Sequence, residues 1–120
     1  MMAPMNTSRL NDTFDLLTHP HRRYVLYHLR NKTEEIGIER LAAAIADWEE
    51  VDSGMKRATS IDKIKTNLHH IHLPKLAEAG FITVDATIDS IALAAPDGLN
   101  RFLAESEPID GYGDTIPTAD

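Results

Sequence analysis

The chain has 120 residues, of which 42% are hydrophobic, and its formal net charge is −7 with the histidines neutral. This length accommodates one domain with one modest core, and the lack of cysteine excludes disulfides and thiolate chemistry. No apolar run approaches the roughly 18 residues that a membrane span needs, and the start of the chain lacks the basic and apolar segments of a secretory signal. We therefore expect a cytoplasmic protein without a membrane anchor.

The acidic charge bears directly on nucleic-acid binding. DNA-binding domains usually carry a basic surface patch, so the negative net charge argues against non-specific binding to nucleic acids. However, only five of the twelve basic residues are lysines, and an acidic excess with few lysines is typical of proteins from very salty cytoplasm. At molar salt the Debye length is only about 3 Å, so the repulsion between an acidic protein and DNA is screened. The charge does not exclude a DNA-binding function.

The first predicted helix follows a flexible arm at residues 1–9. Leu10, Phe14 and Leu17 fall at the i, i+4, i+7 spacing of a helix, and Ser8 is a suitable N-cap. The helix should end just before Pro20, because the residue that precedes a proline is pushed out of the helical region.

Pro20 suits the first position of a second helix, HRRYVLYHLRN. Its predicted inward residues are Val25, Leu26 and Leu29. Arg22 and Arg23 lie in its first turn, where the helix dipole disfavours cations. Either they pair with local carboxylates, or they contact phosphate.

A third helix is predicted in IERLAAAIADWEE, and its packing face comprises Leu41, Ala42, Ile45 and Trp48. Residues 50–60 are predicted to form a loop, which is long for a compact domain. Thr59 and Asp62 then have the spacing of a capping box, so the fourth helix should span about residues 61–79 and end at Gly80.

The fourth helix has two distinct predicted faces. Its 3.6-residue period places one group of side chains inward, namely Ile61, Ile64, Leu68, Ile71 and His72. The opposite face carries Lys63, Thr66, Asn67 and His70. Pro74 should kink the helix, which could bring Leu73 into the core alongside Leu76.

After Gly80 the hydrophobic period changes to two. Ile82 and Val84, then Ile91 and Leu93, alternate with smaller or polar residues, which predicts a hairpin with a connection at residues 86–90. A fifth helix should run from Pro96 to Glu105, with Leu99, Phe102 and Leu103 apolar. We assign residues 10–105 to the domain and residues 106–120 to a disordered acidic tail.

The element order indicates the fold class. Helices followed by a small hairpin, which must pack on helices to be stable, are typical of a winged helix-turn-helix. The predicted fold is therefore mainly α with a small β-hairpin, an α+β class with about five helices and a two-stranded wing. The apolar stripes of the first and fifth helices exceed what one small core needs, so we also expect a homodimer.

Three stretches carry a family resemblance. HLPKLAEAGFI, residues 72–82, is similar to the segment of ArsR-type winged-helix regulators that covers the end of the recognition helix and the start of the wing. LLTHPHRRYVLYHL, residues 16–29, also resembles that family. With LAAAIADWE and LHHIHLPKLAEAG, the chain resembles small haloarchaeal winged-helix proteins over roughly residues 10–95. The resemblance implies a homodimeric, sequence-specific DNA-binding regulator.

The chain departs from that family's pattern at two places. The turn before the recognition helix is expanded to about a dozen residues. The predicted wing tip, ATIDS, has no Lys or Arg with which to hold phosphate.

The histidine-rich stretch HHIHLPKLAEAG, residues 69–80, permits three interpretations. His69 and His72 have helical metal-ligand spacing, but two histidines make only half of a zinc site, and further ligands would have to come from the region of His19, His21 and His28. His72 among apolar neighbours is typical of a neutral core histidine. His70 belongs to the outward face, where it would contact DNA or solvent. We predict no metal and no cofactor.

The leading hypothesis is a transcriptional regulator that binds double-stranded DNA. Lys63, Thr66, Asn67 and His70 would enter the major groove, and Arg22, Arg23 and Lys65 would contact phosphate. The alternatives are a winged-helix module for protein interaction and a histidine-based metal-responsive repressor. No nucleophile–base arrangement or phosphate loop is present, so we do not expect an enzyme.

Overall fold

A computed structural model describes residues 12–31, 36–49, 55–94 and 97–112. The elements are α1 (residues 12–16), α2 (Pro20–Asn31), α3 (Ile38–Trp48), α4 (Met55–Asn67), a π-helical turn (Leu68–His72), α5 (Leu73–Glu78), β1 (Ile82–Asp85), β2 (Ser90–Leu93) and α6 (Asp97–Ser106). This is the predicted mainly helical, winged-helix-like α+β fold. Within the described ranges, no helix is long and apolar enough to cross a membrane.

The core lies between α2, α3 and the long helical segment that begins with α4. The predicted inward residues of α2 and the predicted packing face of α3 are confirmed, and Trp48 stacks at the core edge on the buried Tyr24, with ring centroids 4.8 Å apart. Burying a large apolar side chain contributes roughly 1.5–3 kcal/mol, so these helix faces supply most of the driving force for folding.

The helix α4 begins earlier than the capping pattern predicted. It starts at Met55, so Thr59 lies inside the helix and the connection from α3 shortens to residues 49–54, of which 50–54 lie outside the described ranges. Met, Lys, Arg and Ala at positions 55–58 are all good helix formers, which explains the extension. Arg57 also pairs with Asp47 of α3 at 2.6 Å.

A π-helical turn, rather than a simple kink, accommodates Pro74. The N–H of Leu73 donates to the carbonyl of Leu68, five residues earlier, and this wider turn moves the preceding carbonyls away from the proline ring. The extra residue changes the phase of the apolar face. Ile71, predicted to be inward, is 41% exposed, whereas His72, Leu73 and Leu76 are buried.

Gly80 ends the helix as predicted, with φ at +84°. The N–H of Gly80 donates to the carbonyl of Ala77, and the N–H of Phe81 donates to that of Leu76. These paired bonds form a Schellman motif, and the buried Phe81 covers the helix end.

The hairpin pairs Ile82 with Leu93 and Val84 with Ile91, and its turn spans residues 86–89. Ile36 adds a bridge to Ile91 on the other side of β2. Val84 is exposed despite its inward register, because it lines an open cleft between the hairpin and the π-helical turn.

The tail predicted at residues 106–120 differs from the structure, because Ser106 is the last residue of α6 and residues 107–112 fold onto the domain. These residues form turns that pack on α2, where Asp110 binds Arg23 and Glu107 binds Arg30. The remainder of the predicted tail, from residue 113, lies outside the described residues, as do the predicted arm, Ser8 and Leu10.

Candidate nucleic-acid interface and histidine cluster

The outward face of α4 has the exposure that the sequence predicted. Lys63, Thr66 and Asn67 are all exposed, and His70 in the adjoining π-helical turn is exposed as well. These four side chains offer hydrogen-bond donors and acceptors along one side of the helix. Asp62 is exposed beside them and places one carboxylate on the same surface.

The charge of the chain is distributed unevenly about this helical segment. Residues 55–78 contain five Lys or Arg residues and two Asp or Glu residues, whereas the rest of the chain contains seven and seventeen. Four of the five lysines lie in this segment. A cationic helix therefore stands out from a strongly acidic protein.

The wing carries carboxylates that are engaged within the fold. Asp85 accepts a hydrogen bond from the N–H of Thr87 in the turn, and Asp89 accepts one from the N–H of Ile38 at the start of α3. Gly37 makes the second contact possible, because a Cβ atom there would lie 2.6 Å from the Asp89 carboxylate. These bonds hold the wing turn against α3.

Lys65 lies half-exposed along the cleft between the helical segment and the hairpin. Its Nζ atom is 3.8 Å from a carboxylate oxygen of Glu39, whose side chain is well exposed. Such a surface pair contributes little to stability, so the Lys65 ammonium remains available for another anion.

The side chains of Arg22 and Arg23 both form hydrogen bonds with other groups of the protein. Arg22 donates through Nε to Nδ1 of His72 at 3.0 Å and through Nη1 to the carbonyl of Leu16. Arg23 forms a two-point ion pair with Asp110 and also donates to the carbonyl of Leu17. The carboxylate partner expected for these arginines is thus present for Arg23, although it comes from the far end of the domain.

A cluster of three histidines lies where α2 begins against the π-helical turn. His19 precedes α2, His21 is in its first turn, and His72 ends the π-helical turn. Each ring can offer one nitrogen such that the three nitrogens lie within 4.8 Å of one another. Glu49, which follows α3, reaches His21 with its carboxylate 2.6 Å from Nε2.

The rings are held by different partners. Nδ1 of His19 accepts a hydrogen bond from the N–H of His21, and Nδ1 of His72 accepts the bond from Arg22. Nδ1 of His21 is buried without a hydrogen-bond partner among the described residues. Burial, followed by the nearby cationic side chains, lowers the pKa of His72 to about 4 and also lowers that of His19.

The prediction that His72 is a buried core residue with a hydrogen-bond partner is confirmed, since the residue is only 3% exposed and accepts a bond from Arg22. His69, which has metal-ligand spacing to His72 in the sequence, is not part of this cluster. His69 is exposed and contacts the ring of His70, with centroids 4.9 Å apart. The sequence signal for the actual cluster is the HPH segment at the start of α2, but nothing in its spacing indicates contact with His72.

Comparison with known proteins identifies the family. A family model described as a domain of unknown function, DUF7344, matches residues 14–92, which include the three clustered histidines and the outward face of α4. No curated protein and no solved structure shows significant similarity to the chain. Because the match covers well over half of its length, the chain belongs to the DUF7344 family.

Proposed function

We propose that the protein is a transcriptional regulator that binds double-stranded DNA through the outward face of α4. The observation that carries this proposal is the concentration of positive charge in residues 55–78 of an acidic chain. Phosphate contacts dominate the affinity of proteins for DNA, so a cationic helix in the recognition position of a winged helix is well suited to the major groove.

Specificity would come from the exposed polar side chains of this face. Asn67 can pair in bidentate fashion with adenine, and Lys63 can donate to guanine. Thr66 and His70 extend the same surface, and Lys65 lies beside it for a phosphate contact. Arg22 and Arg23 would first have to leave their internal partners, so the proposal rests on the α4 residues rather than on them.

The proposed regulator is a homodimer that works in the cytoplasm. Part of the apolar stripe expected to drive dimerisation is buried within one chain, namely Leu17, Leu99 and Leu103. Phe14, Phe102 and Ile109 remain exposed and line one shallow depression between α1 and the end of α6. A two-fold pairing of this surface would present two copies of α4 to two half-sites of DNA.

A second candidate function is a protein-interaction module that uses the wing. Ile88 in the wing turn is 64% exposed, and Val84 of the same hairpin is also exposed. The described wing has carboxylates and no Lys or Arg, which suits a protein partner better than phosphate.

Selection from a pool of random duplexes in molar potassium chloride tests the first function. We expect enrichment of one motif with two-fold symmetry, and no enrichment by the Lys63→Ala/Asn67→Ala variant. If the unchanged protein enriches no motif, sequence-specific DNA binding is rejected and the protein-interaction function of the wing is favoured.

A further inference from the structure

We propose that His19, His21 and His72 form a binding site for a late first-row divalent metal ion, with Zn²⁺ as the natural occupant. Imidazole nitrogen is a preferred ligand of such ions, and three protein ligands with one open position are a common zinc arrangement. The inference concerns a different surface from the DNA-reading face and does not depend on the proposed function.

The arrangement of the three rings supports a common ligand. Their nitrogens lie within 4.8 Å of one another, although His72 is about fifty residues from the other two in sequence. Ligand nitrogens around a tetrahedral zinc ion are about 3.3 Å apart, given bonds of 2.0–2.1 Å. An ion would therefore draw the rings together by a modest side-chain adjustment.

His21 has the strongest individual signature of a ligand. Its Nε2 atom and the Glu49 carboxylate are 2.6 Å apart, which places the ring proton on Nε2. Nδ1 then carries the lone pair, and this atom is buried without a hydrogen-bond partner among the described residues. Histidine ligands almost always donate their second ring N–H to a carboxylate, a backbone carbonyl or water, which orients the ring and raises its basicity.

The lone pairs of His19 and His72 already accept hydrogen bonds from other groups of the protein. A neutral imidazole has one acceptor nitrogen, and in His72 that nitrogen accepts from Arg22, while in His19 it accepts from the N–H of His21. A metal ion must replace both bonds.

Arg22 is therefore a competitor of the metal rather than a ligand. Its guanidinium holds the lone pair of His72 and adds positive charge next to the cluster. Removal of Arg22 should relieve both effects, so Arg22→Ala should bind the ion several-fold more tightly. A histidine cluster with a purely structural role would show no such gain.

The test is titration of the tag-free, full-length chain, treated with chelator beforehand, with Co²⁺ as a spectroscopic probe and Zn²⁺ as its competitor. We expect one Co²⁺ per chain, with visible absorption of low-symmetry coordination that Zn²⁺ abolishes. His19→Ala and His21→Gln should each weaken binding at least tenfold. Neither histidine is fully buried, so both variants should fold, and circular dichroism would verify this.

The matched control is the double variant His69→Ala/His70→Ala, which removes two exposed histidines outside the cluster. It should bind Co²⁺ like the unchanged protein. No stoichiometric binding by the unchanged chain, or binding that is lost in this control and retained in His19→Ala, would overturn the proposal. Because no DNA is present, the result is independent of the proposed regulatory function.

Discussion

Arg22 donates through Nε to Nδ1 of His72 at a distance of 3.0 Å, and this bond joins the first turn of α2 to the end of the π-helical turn. The acceptor is almost fully buried, so no solvent molecule can readily replace the arginine. The bond therefore couples the α2 segment to the helical segment whose outer face we propose to read DNA.

Replacement of Arg22 by alanine in metal-free protein should lower the free energy of unfolding by about 1–3 kcal/mol. The reason is that a buried acceptor loses its donor, and an unsatisfied buried group carries most of its desolvation penalty. Urea denaturation in the presence of chelator would measure the change. Arg101→Ala, which removes an exposed cation from α6, serves as control and should stay within about 0.5 kcal/mol of the unchanged protein. Equal midpoints for the two variants would show that the bond contributes nothing.

Lys63→Ala and Asn67→Ala should each weaken binding to the selected duplex while leaving the melting temperature nearly unchanged, because both side chains are exposed. A good bidentate base contact contributes about 1–3 kcal/mol, so Asn67→Ala should cost roughly tenfold on the selected site and little on random duplex. Fluorescence anisotropy on both duplexes measures this, with Arg101→Ala again as the charge-matched control. An equal loss of affinity on both duplexes would show that Asn67 contacts the DNA backbone rather than a base.

The Asp110 carboxylate should make part of the stability sensitive to acid. Burial opposes its ionisation, but hydrogen bonds from Arg23 and from the Tyr27 hydroxyl outweigh burial and hold the pKa of Asp110 below its ordinary value of 3.8. A carboxylate with a depressed folded-state pKa stabilises the protein above its unfolded-state pKa, and this contribution is lost as the pH falls through the folded-state value.

We therefore expect Asp110→Asn to lower the free energy of unfolding by about 1.5–3 kcal/mol at pH 7, the usual contribution of hydrogen bonds to a charged group. The difference from the unchanged protein should begin to shrink below about pH 4, where the unfolded carboxylate takes up a proton, and should be lost as the pH falls through the lower folded-state pKa of Asp110. Denaturation at a series of pH values gives both curves. Curves that remain parallel down to pH 2.5 would contradict this role for Asp110.

Thermal stability should rise from dilute buffer to molar potassium chloride. The chain has nineteen acidic and twelve basic residues, and screening relieves the repulsion among the excess carboxylates. Calorimetry across the salt range measures the midpoint. A midpoint that is flat or falls with salt would reject adaptation to a salty cytoplasm.

The double variant Phe14→Ser/Phe102→Ser should convert the proposed dimer into a monomer without a large loss of stability. Phe14 is 53% exposed and Phe102 is 37% exposed, so neither anchors the core of one chain. Light scattering at tens of micromolar in molar salt reports the mass. Ile88→Ser, on the wing, is the control and should remain dimeric; a monomeric unchanged protein would exclude this interface.

The periodicity of the sequence determined which residues each regular element buries. The inward faces of α2 and α3, the outward face of α4, the presence of the hairpin and the helix end at Gly80 all follow from repeats of 3.6 or 2 residues and from local backbone preference. These features depend on neighbouring residues within one element, so they can be predicted from the sequence without knowing how the elements pack together.

Only the tertiary structure decided what happens where that regularity ends. The π-helical turn inserts one residue into the repeat, which exposes Ile71 and buries His72, and no apolar pattern reveals in advance where the extra residue is accommodated. Packing of α2 against that turn then brings His19 and His21 to His72, and packing of the last turns on α2 brings Asp110 to Arg23. Contacts between residues fifty or more positions apart depend on how whole elements pack against one another, and residue spacing along the chain does not predict that packing.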